Sequence, residues 1–238
     1  MDNGLQLRGV VAGYGQGDIL RGLDLDVASG SITCLIGPNG SGKSTVLRAI
    51  SGLLRPRAGT VHHGGADVTG KTPRAMLGRG VAQVPQDRSL FPAMTVWDNL
   101  LLGAHLNPDI HAVNQRANEI ADRFPLVAQR RHALAGSLSG GEQKTVEIAR
   151  TLMYDPKVIC FDEPSIGLEP RMRKAVFDII VELNEDGRTI LLVEQNARSG
   201  LSISHHGAVL NAGTVQLEGP ATALLQNPEV ARLYLGAA

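Results

Sequence analysis

The sequence predicts an α/β fold with a helical segment inserted into it. Apolar runs typical of buried strands, such as 32–36 and 158–161, alternate with helical patterns, which indicates a parallel sheet. Near the N-terminus, residues 5–11 and 19–27 alternate apolar and polar side chains and predict a small antiparallel sheet. Helical spacing replaces this alternation over residues 87–154, so we interpret that segment as a helical insertion.

Length and composition favour one folded domain with a sub-domain. The chain has 238 residues, of which 43% are apolar, and it can therefore bury a sizeable core. We expect a single domain over residues 1–238, in which 1–86 and 155–238 form the α/β core and 87–154 form the helical sub-domain. No run approaches the roughly 18 apolar residues that a membrane-spanning helix needs, so work at a membrane would require a partner.

Charge, cysteine usage and histidine placement argue against three kinds of site. Lys plus Arg and Asp plus Glu both total 23, and this balance argues against the basic face that nucleic-acid binding requires. Cys34 and Cys160 lie in apolar runs and are predicted to be buried, reduced thiols of a cytosolic protein. His62 and His63 point to opposite faces if they lie on a strand, so we expect surface residues rather than metal ligands.

A glycine-rich loop is the strongest motif in the chain, with an apolar strand before it and a helical pattern after it. The residues that fit the phosphate-binding pattern G-x-x-x-x-G-K-[ST] are Gly37, Pro38, Asn39, Gly40, Ser41, Gly42, Lys43, Ser44 and Thr45. Glycines let the backbone approach a polyphosphate closely, and the loop amides and the positive end of the helix then face it. Lys43 is predicted to reach the β- and γ-phosphates, and the Ser44 hydroxyl to ligate Mg²⁺.

A second buried strand ends in two carboxylates, Asp162 and Glu163. Four apolar residues followed by an aspartate are typical of a Walker B strand. Asp162 is predicted to hold Mg²⁺ opposite Ser44, and Glu163 to orient and deprotonate the attacking water. The alternative is a strand that simply ends in solvated acids, which the glycine-rich loop upstream disfavours.

The stretch Leu138–Gln143, which reads Leu-Ser-Gly-Gly-Glu-Gln, leads into another helix. Ser139 and Glu142 have the spacing of a capping box. That spacing does not explain two consecutive glycines at a helix start, where each costs up to about 1 kcal/mol relative to alanine. Gly140 and Gly141 therefore suggest that something large approaches the backbone, with an anionic group at the positive helix end as the natural candidate.

These motifs, in this order and spacing, resemble those of the ATP-binding cassette (ABC) ATPases over nearly the whole chain. The resemblance implies binding of ATP and Mg²⁺, and ATP hydrolysis. Tyr14 is by its own pattern either a sheet-edge tyrosine or a base-stacking ring, and it resembles the family's adenine-stacking position. Gln86 resembles the glutamine that contacts Mg²⁺ and the water and links to the membrane partner. Residues 165–169 resemble the D-loop, with Glu169 in place of the usual aspartate.

One departure from the family pattern identifies a branch. The family usually has a histidine after the last buried strand, where it contacts the γ-phosphate, whereas this chain has Gln195. Glutamine donates hydrogen bonds but carries no positive charge and shuttles no proton. The stretch 193–196, Val-Glu-Gln-Asn, is similar to the ATP-binding subunits of branched-chain amino-acid importers and of related urea importers. Residues 84–96 and 227–236 are also similar to that branch.

By the same resemblance, two chains, identical or paralogous, pack head to tail around two ATP molecules. Ser139, Gly140 and Gly141 would cap the γ-phosphate bound by the other chain. Lys43 and Mg²⁺ would stabilise charge while Glu163 acts as base. The expected partners are transmembrane permease subunits and, indirectly, an extracytoplasmic solute-binding protein, at the cytoplasmic face of the inner membrane.

Three alternatives and one ambiguous cluster accompany this reading. A nucleic-acid-linked ABC ATPase would usually show tandem cassettes, a coiled-coil insert or a basic face. A small-molecule kinase would share the loop but would have no reason to carry the Ser-Gly-Gly signature. A lipid or lipopolysaccharide exporter, which residues 146–150 also resemble, would usually keep the histidine. Phe91, Met94 and Trp97 form either a permease-docking groove or the core of the helical sub-domain.

Overall fold

The computed structural model describes residues 4–230, which form two β-sheets and the helices packed on them. The strands are β1 (Leu5–Ala12), β2 (Leu20–Val27), β3 (Ile32–Ile36), β4 (Ala58–His63), β5 (Ala66–Asp67), β6 (Val81–Val84), β7 (Val158–Asp162), β8 (Thr189–Glu194), β9 (His206–Asn211) and β10 (Thr214–Pro220). The helices are α1 (Lys43–Ile50), α2 (Pro73–Gly78), α3 (Val96–Leu102), α4 (Ile110–Arg123), α5 (Pro125–Gln129), α6 (Gly140–Thr151), α7 (Pro170–Glu185), α8 (Ala197–Ser202) and α9 (Ala221–Gln226). The predicted α/β fold class is confirmed. Part of the 227–236 stretch lies outside the described residues.

The larger sheet has six strands in the order β10-β9-β3-β8-β7-β6. Its strands β6, β7, β8, β3 and β9 are parallel, and β10 runs antiparallel to β9. The smaller sheet has the order β2-β1-β4-β5, and every pair in it is antiparallel. The alternating runs near the N-terminus therefore form the kind of sheet that they predict.

The central strands of the large sheet are buried along their whole length, which explains why they are apolar without alternation. Successive residues along these strands point to opposite faces of the sheet and pack into two different hydrophobic cores. Phe161 packs with the helical segment and α7, whereas its neighbour Cys160 faces the core shared with the small sheet. Cys34 and Cys160 are buried free thiols, as predicted, and burial raises the pKa of Cys160 to about 12.

The chain between β6 and β7 contains α3, α4, α5 and α6, with two short 3₁₀ turns. Helix α4 buries Ala117, Ile120 and Ala121, the face that the sequence spacing predicts. The side chains of Thr95 and Asp109 cap the first turns of α3 and α4 by accepting backbone N–H bonds. Within residues 4–230, no helix has the length and hydropathy needed to cross a bilayer.

The expectation that both adjacent histidines lie at the surface is wrong for His63, which is buried. Strand β4 lies inside the small sheet, and Val61 and His63 share its buried face. The two ring nitrogens of His63 each lie 3.2 Å from a carbonyl oxygen, those of Gly4 and Arg79. His62 is half-buried on the opposite face.

Candidate nucleotide-binding site

Four parallel strands bring the candidate residues to one edge of the large sheet. In the strand register, the last residue of β3, Ile36, pairs with Glu194 of β8, and Asp162 of β7 pairs with Val193. Strand β6 ends beside β7, with Val84 opposite Phe161. Because the carboxyl ends of these strands coincide, the segments that follow them converge, as at ligand sites of open α/β sheets.

The loop between β3 and α1 requires glycine at two positions for different reasons. At Gly37, an added Cβ would lie 2.1 Å from the Leu210 carbonyl oxygen, so only glycine fits against β9. Gly42 precedes α1 with φ 109°, a conformation that L-residues with side chains rarely adopt. The loop can therefore follow this backbone path only with glycine at both positions.

Lys43 is buried, and its ammonium group points back into the loop. Its Nζ donates to the carbonyl oxygens of Gly37 at 2.9 Å and Pro38 at 3.1 Å. The Oε1 of Glu163 lies 3.6 Å from the same Nζ. The ammonium group is thus held between two loop carbonyls and the Glu163 carboxylate.

Ser44 and Asp162 meet across the floor of the site, where the Ser44 hydroxyl donates to Asp162 Oδ1 at 3.1 Å. Burial raises the pKa of Asp162 and the nearby Glu163 raises it further, whereas the Ser44 hydrogen bond and the charges of Arg48 and Lys43 oppose the shift. A hydroxyl and a carboxylate at this separation are oxygen ligands of the kind that Mg²⁺ prefers, so the donor set fits that ion.

Glu163 has a strained backbone conformation, with φ 45° in the left-handed region. Its N–H donates to the Val193 carbonyl at 2.9 Å, which ties it to β8. The Gln86 side-chain amide lies 3.5 Å from Glu163 Oε2, a long hydrogen bond that links the end of β6 to this carboxylate. Strain of this kind clusters at functional sites and costs on the order of 1–3 kcal/mol.

One cavity of about 320 Å³ collects most of the predicted residues. It is lined by Ile19, Asn39, Gly40, Gly42, Lys43, Ser44, Thr45, Gln86, Glu163, Ile166 and Gln195. The Gln195 side chain thus shares the cavity with Lys43 and Glu163. Ile19 and Ile166 were not predicted as site residues, and the sequence offers only their position beside predicted elements as a signal.

Tyr14 lies outside the lining of that cavity, at the start of the turn after β1. Its side chain is 46% exposed. Arg48 on α1 donates to the Tyr14 hydroxyl at 2.6 Å, and the guanidinium carbon lies 5.8 Å from the ring centroid. The Tyr14 ring is therefore fixed to α1 by Arg48 while one side stays open to solvent. The sequence did not indicate this contact with Arg48.

The signature stretch also lies outside the cavity: among the described residues, Ser139, Gly140 and Gly141 are not part of its lining. The capping box is present, since Ser139 accepts from the Glu142 N–H and donates its own N–H to the Glu142 carboxylate. The prediction that a ligand approaching the backbone explains both glycines is wrong for Gly141. A Cβ at Gly141 would lie 2.4 Å from Met172 of α7, so the chain's own packing explains that glycine.

Gly140 is different, because a Cβ there would meet nothing closer than 3.7 Å. No packing contact within the described chain therefore requires glycine at this position. The exposed Ser139 and the open Gly140 form the accessible part of the helix start.

The fold and the loop geometry define a P-loop nucleotide-binding protein. A family model described as "ABC transporter" matches residues 20–166. The chain therefore belongs to the ABC transporter family, and it is an ATP-binding, ATP-hydrolysing protein of that family. This confirms the resemblance drawn from the motifs.

Curated relatives cover most of the chain. The "Probable branched-chain amino acid transport ATP-binding protein LivF" from Archaeoglobus fulgidus is 37% identical over 94% of this chain and 95% of its own length. The high-affinity branched-chain amino acid transport protein BraG from Pseudomonas aeruginosa is 35% identical with the same coverage. The lipopolysaccharide export protein LptB from Escherichia coli is 34% identical over 92% of this chain and 91% of its length.

Solved structures of cassettes match the whole fold. A nucleotide-free ATP-binding cassette from an ABC transporter superposes with a TM-score of 0.88 at 31% identity, covering all of both chains. A dimeric cassette in a post-hydrolysis state, bound to ADP and phosphate, matches with a TM-score of 0.80 at 26% identity over 91% of this chain and 98% of that chain.

Proposed function

We propose that this chain is the ATPase subunit of a membrane importer for branched-chain amino acids. The observation that carries the catalytic part is the convergence of Lys43, Ser44, Gln86 and Glu163 on one cavity. The names of BraG and LivF, together with the 193–196 stretch, support the substrate class.

The proposed reaction is in-line attack of water on the γ-phosphate of ATP. The loop amides and Lys43 bind the phosphates, and Ser44, Asp162 and Gln86 would hold Mg²⁺, which supplies charge neutralisation when bound. Glu163 accepts the proton of the attacking water, since its carboxylate faces the cavity beside Gln86. Gln195 donates a hydrogen bond to the γ-phosphate in place of a histidine.

We propose that the site is completed by a second chain, identical or paralogous, packed head to tail. Ser139 and the amides of Gly140 and Gly141 would then face the γ-phosphate on the partner's loop. Two features support this arrangement: the signature does not line its own chain's cavity, and Gly140 is open. The dimeric cassette with ADP and phosphate is a precedent within the family.

Transmembrane permease subunits are the proposed docking partners, placing the chain peripherally on the cytoplasmic face of the inner membrane. An apolar groove of about 530 Å³ lies between the core and the helical segment, with Phe91 and Leu53 exposed at its rim. Of the earlier cluster, Phe91 lines this groove, whereas Trp97 packs against the helical core and under Arg131. Phe91 is therefore the proposed contact.

The competing function is export of a lipid or lipopolysaccharide, which the similarity to LptB favours. Uptake of labelled leucine by cells carrying the intact transporter separates the two proposals. Importer function predicts leucine uptake that disappears with Glu163→Gln. If leucine uptake were unaffected by that substitution, the assignment to branched-chain amino-acid import would be refuted.

The catalytic proposal is tested by Glu163→Gln in the purified chain. ATP binding should be nearly unchanged, while hydrolysis should fall roughly 10²-fold or more, as expected for loss of a general base. Glu182→Gln, on the exposed face of α7, is a matched control that should hydrolyse normally. Near-normal turnover by Glu163→Gln would show that Glu163 is not the general base. The rate per chain should also rise with concentration if a second chain completes the site.

A further inference from the structure

A second buried carboxylate lies behind Glu163. Glu194, the last residue of β8, is 2% exposed. Its Oε1 accepts from the Ser165 N–H at 3.2 Å, and its Oε2 accepts from the Ser165 hydroxyl at 3.0 Å. Ser165 is itself buried. The carboxylate therefore accepts two hydrogen bonds from one residue, one from its backbone N–H and one from its side-chain hydroxyl. This pair of hydrogen bonds is the grip of Glu194 on Ser165.

The two segments joined by this grip border the reaction site. Ser165 follows Glu163 by two residues, and Glu194 directly precedes Gln195. A cavity of about 250 Å³ is lined by Glu163, Ser165, Ile166, Gly167, Arg173, Glu194, Gln195 and Asn196. The charged groups that act on Glu194 are Glu163 at the end of β7 and Arg173 on α7.

Toward α8 and β3, there is little space for the Glu194 side chain to move. A Cβ at Gly200 would lie 3.0 Å from the Glu194 Cβ and 2.7 Å from Cys34 Sγ, so α8 and β3 close tightly around its side chain. Packing on this side therefore limits how far the Glu194 side chain can move away from Ser165.

The hydrogen bonds between Ser165 and Glu194 lie next to the strained backbone of Glu163 and can help to maintain it. Its left-handed conformation persists only if the surrounding structure determines it on both sides. On one side, the Glu163 N–H bonds to the Val193 carbonyl. On the other, the Ile166 N–H bonds to the Glu163 carbonyl at 3.2 Å, and the neighbouring Ser165 is held by Glu194.

We propose that Glu194 is a positioning residue for hydrolysis: by gripping Ser165, it holds the segment after Glu163 in place and keeps the base aimed at the attacking water. A displacement of about 1 Å in such a group can reduce a rate on the order of 10²-fold. The inference rests on the proposed role of Glu163 as base.

The test compares Glu194→Ala, Glu194→Gln and Ser165→Ala in the full-length chain, at a concentration where the rate per chain no longer increases. Glutamine can keep both contacts, since its oxygen accepts from the Ser165 N–H and its amide donates to the hydroxyl. We expect kcat to fall about 10-fold or more for Glu194→Ala, and less for Ser165→Ala, with KM for ATP changed less than about threefold. Glu194→Gln should stay within about threefold of the original kcat.

Two results would overturn the proposal: an unchanged kcat in both alanine variants, or a Glu194→Gln variant as slow as Glu194→Ala, which would assign the effect to charge. If Glu194→Ala does not fold, Ser165→Ala against Glu194→Gln decides the question in the same way. Failure of the underlying function has a separate signature, because Glu163→Gln would then hydrolyse ATP normally whatever residue occupies position 194.

Discussion

Removing Glu147 should destabilise the chain strongly, because its carboxylate sits in a buried network on α6. Oε1 accepts from the Ser89 N–H at 2.6 Å, and Oε2 lies 2.7 Å from the Lys144 ammonium, although poorly aligned for a hydrogen bond. The same ammonium donates to the carbonyl oxygens of Pro85 at 2.9 Å and Gln86 at 3.4 Å. The network thus joins the signature helix to the segment that carries Gln86.

The loss in free energy of unfolding caused by Glu147→Ala follows from burial, since Glu147 is 1% exposed and Lys144 is 7% exposed. The substitution leaves an ammonium without its counter-ion and the Ser89 N–H without its acceptor. Breaking a buried pair in this way costs about 3–5 kcal/mol. For a chain of this length each kcal/mol shifts Tm by about 2–4 °C, so we expect Tm to fall by roughly 10 °C.

Thermal melting of Glu147→Ala beside two comparison variants checks this reasoning. Asp178→Ala removes an exposed pair of similar length, in which Asp178 Oδ2 lies 2.7 Å from Lys174 Nζ, and should cost about 0.5 kcal/mol or less. Replacing both partners, with Lys144→Met and Glu147→Leu, should recover part of the loss, because the ammonium without its counter-ion is removed while the Ser89 N–H still lacks its acceptor. A double variant as unstable as Glu147→Ala would refute the account.

Glu194→Gln should remove a pH dependence of stability. Burial raises the pKa of Glu194 from 4.5 to about 7, so between these pH values the folded chain holds a proton that the unfolded chain releases. The free energy of unfolding of the original chain should therefore fall by on the order of 3 kcal/mol from pH 4.5 to 7. Denaturant titrations at the two pH values measure this difference, which Glu194→Gln should lack. In thermal melts, Gly141→Ala should cost about 1–3 kcal/mol through its clash with Met172, whereas Gly140→Ala should be neutral or slightly stabilising. Tyr14→Ala should weaken binding of ATP and ADP about equally, roughly 10-fold in Kd, because stacking involves the base rather than the phosphates.

The buried strands, the glycine-rich loop and the apolar face of α4 were predictable because each follows from a short local pattern with one physical cause. A run such as Ile32–Ile36 can be uniformly apolar only if both faces are covered, so the central strands were recognisable. The loop that follows carries its own constraints on φ and on close approach, and the order of the motifs specified the family. The face of α4 was also predictable, because fourteen residues give several helical repeats.

The features that were missed depend on contacts between distant parts of the chain. Gly141 is a glycine because Met172, more than thirty residues away, lies against it. His63 is buried because β4 lies between β1 and β5. The short helices α2, α5 and α8 have five or six residues, too few for a helical repeat to stand out. The grip of Glu194 on Ser165 likewise needs two strand ends to meet.

The geometry indicates which part of catalysis a single chain would lack. Lys43 lies 3.6 Å from Glu163, Gln86 lies 3.5 Å from it, and Ser165 is bonded to Glu194, so the proposed base is positioned by its own chain. The start of the signature helix, by contrast, does not line the cavity of its own chain. If a second chain supplies it, the gain is in stabilising charge on the phosphate as the transition state forms, and such a gain appears in kcat rather than in KM. Pairing of chains and positioning of Glu163 should therefore both change kcat more than KM.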